Sequence, residues 1–148
     1  SIITCGTNPI VDYENHPKCI MVWGNNLVIS NPDCYKGEPF SVSLDAGAKL
    51  IAVDPRLTRI AARADVWLQL RPGTDTALAL GMLNVIVNEE LYDREFVANH
   101  VYGWEPFVKR VNEYPLEKVA EITWVSKDKI RQAALSRQPT AGLRISSA

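Results

Sequence analysis

Leu50-Ile51-Ala52-Val53-Asp54-Pro55-Arg56 is the stretch that sets the architecture. A short, β-branched apolar run ending in an acid is a buried strand whose last side chain emerges at its carboxyl end, the edge where open parallel sheets hold nucleotides. Pro55 stops the ladder there, because it has no amide hydrogen to donate. Further along, Arg71-Pro72-Gly73-Thr74-Asp75 stands at the mouth of a long apolar helix. Its Pro-Gly turn leads into Thr74 and Asp75, residue types that favour helix N-termini, so amide donors and a hydrogen-bonding side chain are expected to converge. Two such elements predict a nucleotide-sized ligand.

Working outward, Cys19 to Trp23 is an apolar run that leaves into Gly24-Asn25-Asn26, a first strand followed by a turn and candidate ligand loop. Asn31-Pro32-Asp33 marks another turn. A helix is predicted over about Pro39 to Ala46, with Gly47 in the position suited to a left-handed cap. Lys49 to Val53 is the second strand, Leu57 to Ala64 a short helix and Val66 to Leu70 a third strand. Strands alternating with helices specify a parallel sheet. Thr74 to Asn88 is the clearest helix, apolar at Ala77, Leu78, Leu80, Met82, Leu83, Val85, Ile86 and Val87 and therefore covered on both sides. Short helices are predicted after it, at Asp93 to Asn99, Trp104 to Val111, Pro115 to Ile122 and Ser126 to Leu135, each starting near a capping residue or proline. Thr140 to Ser146 resumes a strand pattern.

The 148 residues suit one domain, and an apolar content of 47% is enough for a core. A net charge of −1 and an isoelectric point near 6.1 lack the basic footprint of a nucleic-acid binder, so no DNA or RNA partner is expected. No apolar run approaches the roughly 20 residues of a membrane span. Cys5, Cys19 and Cys34 are odd in number and contain no Cys-x-x-Cys pair, which argues against a disulfide framework, a zinc site or an iron–sulfur site. His16 and His100 lie far apart with no carboxylate–histidine pattern, so neither is expected to be catalytic. The chain begins at Ser1-Ile2-Ile3 and stops in a pattern like a strand just beginning, as a piece of a longer polypeptide would.

Three ordered blocks, Val22-Trp23-Gly24-Asn25-Asn26, then Gly47-Ala48-Lys49-Leu50-Ile51-Ala52-Val53-Asp54-Pro55-Arg56-Leu57-Thr58, then Ala64 through Leu80 with Arg71-Pro72-Gly73-Thr74-Asp75 inside it, resemble molybdopterin oxidoreductases of the dimethyl sulfoxide reductase type. Leu91 to Val97, Tyr102-Gly103-Trp104 and Ile130 to Ala134 continue the resemblance, which covers about Cys19 to Ala134. It implies an α/β fold, a Rossmann-like parallel sheet flanked by helices in three layers (α/β/α), with a helix-rich C-terminal half. It also implies a molybdenum or tungsten ion held by two molybdopterin guanine dinucleotides. Residues 1–148 would then be a single cofactor-binding domain that grips one guanosine end. Redox chemistry would belong to the full-length enzyme, and this chain alone would be inactive. The implied partners are the remaining domains of the parent enzyme and an electron-transfer subunit, with any iron–sulfur cluster outside this chain. A cytoplasmic or periplasmic site in a prokaryotic cell is expected.

The cofactor-binding residues expected on that basis are Trp23, Gly24, Asn25, Asn26, Asp54, Pro55, Arg56, Thr58, Arg71, Gly73, Thr74 and Asp75. Gly24 lets the backbone approach a pyrophosphate, while neighbouring amides and the Asn side chains donate to its oxygens. Asp54 is placed to accept from ribose hydroxyls, or else caps the turn after Pro55. Arg56 pairs with phosphate or stacks on a base. Asp75 is the candidate for reading guanine, whose ring and exocyclic N–H groups form an adjacent donor pair that adenine lacks; its rival role is that of a plain helix-start acid. Trp23 and Trp67 are core aromatics or stacking platforms. Arg71 binds ligand or pairs with a surface carboxylate. No catalytic residue and no metal ligand is expected, Cys5 included. Two other readings stay open. One is a structural module that keeps the fold without the cofactor, as in the large iron–sulfur subunit of respiratory NADH dehydrogenases. The other is an NAD-binding domain, disfavoured because no Gly-x-Gly-x-x-Gly follows the first strand.

Overall fold

The computed structural model describes residues 12–13, 15, 17–30 and 37–136. Cys5, His16, Cys34, the turn at Asn31-Pro32-Asp33 and the strand pattern from Thr140 to Ser146 lie outside the described residues. Strands β1 (Cys19–Trp23), β2 (Lys49–Val53) and β3 (Val66–Leu68) form a parallel sheet in that order. The helices are α1 (Leu27–Ser30), α2 (Gly37–Asp45), α3 (Arg59–Arg63), α4 (Asp75–Asn88), α5 (Arg94–His100), α6 (Trp104–Asn112), α7 (Leu116–Thr123) and α8 (Lys127–Ser136).

Period-two alternation sorts the sheet's side chains into two cores. Ile20, Val22, Leu50 and Ala52 face Phe40 of α2 and Ile60 and Ala61 of α3. Ile51, Val53, Val66 and Leu68 face Leu78, Met82 and Val85 of α4, Val119 of α7, and Ile130, Ala133 and Ala134 of α8. The result is three layers, as expected, with β2 shared by both cores; its residues Leu50 to Val53 are all buried. A central strand covered on both faces needs a continuous apolar run, which is what Leu50-Ile51-Ala52-Val53 supplies.

The elements expected within the described residues exist, and several boundaries move for identifiable reasons. The strand predicted to Leu70 ends at Leu68, because the Leu70 amide turns back to the Leu68 carbonyl (3.1 Å) while its side chain stays buried. The helix predicted from Leu57 starts at Arg59, with Thr58 as its cap. α2 ends as predicted, with Gly47 at φ +95°. The Gly47 amide bonds Leu44 O and the Ala48 amide bonds Ser43 O, the paired closure of a Schellman motif. Helix α1 was not foreseen: four residues are too few to display a helical period.

Candidate functional site

β1, β2 and β3 end level. Trp23 is in register with Val53 and Val53 with Leu68, so the three loops that follow leave the sheet along one edge. The Gly24 amide bonds Val53 O (2.8 Å) and the Asp54 amide bonds Leu68 O (3.3 Å), carrying the ladder one step into the loops. The Trp67 indole donates to Asp54 O (2.9 Å) and the Gln69 amide to Pro55 O (3.1 Å), clamping the β2 loop to β3. All twelve expected residues lie on these loops or at their ends: Trp23 to Asn26, Asp54 to Thr58, and Arg71 to Asp75.

Gly24 has φ +59°, and a Cβ there would meet nothing within 4 Å. Within the protein itself, its requirement is backbone conformation rather than room. Asn25 is exposed. Asn26 holds a buried side-chain oxygen that meets no hydrogen-bond donor. The Asn side chains are expected as donors through their NH2 groups, and the Asn26 oxygen adds an acceptor whose partner would be a donor.

In the second loop Asp54 is only 6% exposed, and its Oδ1 accepts from the Arg56 amide (2.8 Å). The turn-capping role is thus realised with one oxygen. Arg56 Nε lies 3.8 Å from the same oxygen, while its side chain is 79% exposed at the edge. Thr58, expected at the ligand, accepts from the Ala61 amide (3.1 Å) as the α3 cap, which uses one lone pair of its hydroxyl and leaves the O–H as a donor.

The third loop is a tight turn. The Thr74 amide bonds Arg71 O (3.2 Å) with Pro72 second and Gly73 third at φ +82°, the arrangement of a type II turn. Thr74 corrects the expectation of a capping side chain. Its hydroxyl donates to Arg71 O (2.6 Å), so α4 begins without a side-chain cap and its first amides keep their donors for solvent or a ligand. Asp75 Oδ1 accepts from the Trp23 indole N–H at 2.7 Å, joining the end of β1 to the start of α4. Trp23 is half-buried against the α4-side core, as a core aromatic, and carries this polar contact as well. The Arg71 guanidinium lies 5.1 Å from the Trp124 ring, with no carboxylate within 4.0 Å among the described residues, and its amide bonds Thr123 O (2.8 Å).

Gln69 and Trp124 escaped the sequence reading. Gln69 falls inside the strand predicted to Leu70, and only the strand's end at Leu68 places it on the loop. Trp124 gave no signal: it caps α7 in the left-handed region at φ +64°, where glycine or asparagine is the usual signal, and is 71% exposed. Cys19 is half-buried, and His100 packs on Phe96 (5.1 Å between ring centroids). Among the described residues no group of three or more His, Cys, Asp or Glu side chains is placed to hold a metal, and no helix is long and apolar enough to cross a membrane.

The profile of the molybdopterin oxidoreductase family matches residues 4–136. Acetylene hydratase of Syntrophotalea acetylenica is 50% identical over 117 residues, which are 79% of this chain and 16% of that protein. The F420-dependent formate dehydrogenase subunit alpha of Methanocaldococcus jannaschii is 37% identical over 128 residues, 86% of this chain and 19% of the relative. The assimilatory nitrate reductase catalytic subunit of Bacillus subtilis is 34% identical over 138 residues, 93% and 19%. The solved structure of acetylene hydratase from Pelobacter acetylenicus superposes with a TM-score of 0.74 at 48% identity, covering 80% of this chain and 16% of that one. The chain therefore spans between 16% and 19% of the length of these relatives.

Proposed function

The chain belongs to the molybdopterin oxidoreductase family, and from that premise we propose that it holds the guanosine end of a molybdopterin guanine dinucleotide for an enzyme that uses molybdenum or tungsten. The observation that carries this reading is the level ending of β1, β2 and β3, which brings Gly24, Asn26, Asp54 and Asp75 to one sheet edge beside an uncapped helix start. The residues fit the group. The buried Asn26 Oδ1 needs a donor, and ribose hydroxyls and guanine N–H groups are donors. The first amides of α4 and the exposed Arg56 suit phosphate oxygens. Asp54 has a second oxygen, beyond the one bonded to the Arg56 amide, for a ribose hydroxyl.

When bound, the cofactor supplies the redox chemistry through its metal and dithiolenes. The chain's own residues bind, orient and select the nucleotide end, and none of them performs a chemical step. The reaction, its substrate and an electron-transfer partner belong to the complete protein. Relatives named as alpha subunits of formate dehydrogenases support an assembly of that kind.

An amide-resolved NMR titration with GDP and, separately, ADP tests the reading. Shifts clustered at Gly24, Asp54 and Asp75 with GDP, and much smaller ones with ADP, are the expected result. Equal responses would remove base selection from Asp75. The alternative, a structural module without cofactor, draws on the internal use of the Asp54, Thr58 and Thr74 side chains. A folded sample that responds to neither nucleotide would favour it.

A further inference from the structure

We propose that Trp23 is the positioning residue for Asp75: its indole N–H fixes the carboxylate at the sheet edge in the orientation that accepts the paired N–H groups of guanine. The inference rests on the guanosine-end reading above and deepens it, because it states how an exposed acid becomes a selective one.

An aspartate at the first position of a helix has two ordinary fates. It bonds the amides of its own first turn, or it stays loose in solvent near the positive end of the helix. Asp75 takes neither course. Its Oδ1 is held at 2.7 Å by an indole donor from the end of β1, 52 residues away in sequence. Trp23 is partly buried and packed against the α4-side core, so the donor sits on a rigid support. Thr74, the residue that would normally cap the helix, directs its hydroxyl to Arg71 O and does not compete for the α4 amides.

The chemistry of the donor matters. Indole N–H donates and cannot accept, and it is neutral, so it orients the carboxylate while leaving its negative charge in place. No ion pair within 4.0 Å involves Asp75 among the described residues. A carboxylate offers about four lone-pair sites, of which the indole takes one. Guanine requires two on adjacent oxygens for its ring N–H and its exocyclic amine; adenine presents an acceptor where guanine has its ring N–H. Holding the side chain in advance removes rotamer entropy that binding would otherwise have to overcome. A lysine or arginine in place of Trp23 would fix the acid equally well but would neutralise the charge that guanine's donors meet.

The test is a cycle on the 148-residue chain, with the ratio of ADP to GDP dissociation constants as the readout. Asp75→Ala abolishes the preference for GDP. Trp23→Phe keeps the ring and its packing, removes only the N–H, and lowers the preference about three- to tenfold, the range of one hydrogen bond. In the Asp75→Ala background the same Trp23→Phe change leaves the ratio where it was, since no acid remains to position. The Trp23 indole resonance moves on Asp75→Ala and on adding GDP, and stays in place with ADP. Should Trp23→Phe fail to fold, the wild-type chain serves: a Trp23 indole resonance that GDP leaves in place, while the Asp75 amide shifts, overturns the inference.

A Trp23→Phe chain with full preference for GDP overturns the inference and leaves the guanosine-end reading standing. So does an equal loss of affinity for both nucleotides, which marks a purely structural tie between β1 and α4. A wild-type chain with no preference for GDP overturns the reading and this inference together.

Discussion

Asp54 holds its own loop with one carboxylate oxygen, accepting the Arg56 amide at 2.8 Å from a position only 6% exposed. Asp54→Ala leaves that amide without its partner and is expected to lower stability by about 1 kcal/mol in urea unfolding. Asp54→Asn, which retains an acceptor at the same place, should stay close to wild type. An Asn variant as unstable as the Ala variant would show that charge, not acceptance, is what the loop needs. Gly24 and Gly73 differ in kind: both have positive φ and open space around a built Cβ, so Ala at either costs backbone strain alone, about 1–2 kcal/mol. The sequence displayed where these residues would stand, since an acid after an apolar run and a Gly after Pro are local signals. It did not display their partners. The Trp23–Asp75 bond depends on how α4 docks against β1, and the turn of Thr74 toward Arg71 O on a torsion that residue type leaves open.

Helix α4 shows how an element's packing overrides its propensity. Gly81 is poorly suited to a helix interior, and alanine is better by about 1 kcal/mol at an exposed position. Here a Cβ on Gly81 would lie 2.7 Å from Val119 Cγ1 of α7, closer than carbon atoms approach. Gly81→Ala is therefore expected to destabilise, by about 1–3 kcal/mol, through overpacking. Gly81→Ala combined with Val119→Ala should recover part of that loss, because the second change removes the obstructing methyls. An additive double mutant would refute the close-approach explanation. α7 and α8 are joined at the surface by Lys127 Nζ and Glu117 Oε1 (3.0 Å), and this ammonium holds the Glu117 carboxyl below its ordinary value. The pair thus favours folding above the ordinary carboxylate range, and its contribution fades as pH falls through the lowered value. Carboxyl NMR should show the Glu117 titration returning upward in Lys127→Met, with little change in unfolding midpoint because both groups are exposed. Element identity was readable because α4 and β2 carry long apolar patterns. Boundaries shifted at α3 and β3 instead, where a single hydrogen bond decides the end, as at Thr58 and Leu70. The Gly81 contact was invisible for the same reason as the Trp23 bond: it belongs to a crossing between elements.

At the scale of the whole molecule, the two cores lie on opposite faces of the sheet, and β2 contributes to both, with Ile51 and Val53 on one side and Leu50 and Ala52 on the other. A strand whose residues are buried on both faces cannot loosen toward α2 and α3 while staying packed against α4 and α8. Cooperative unfolding follows as a property of the layer order. Ile51→Val trims the α4-side core and Ile60→Val the α3-side core, each expected to lower stability by about 0.5–1.5 kcal/mol. If β2 couples the layers, both variants shift the urea midpoint seen by far-ultraviolet dichroism and by tryptophan fluorescence to the same degree, with an unchanged slope, and the double variant is additive to within about 0.5 kcal/mol. An Ile60→Val chain in which one probe moves and the other does not would mean that α2 and α3 come away as a separate unit. The consequence would reach the site. The Asp54 loop, which leads from β2 into α3, would then open without the Asp75 loop, and the level edge that carries both acids would last only as long as the smaller core.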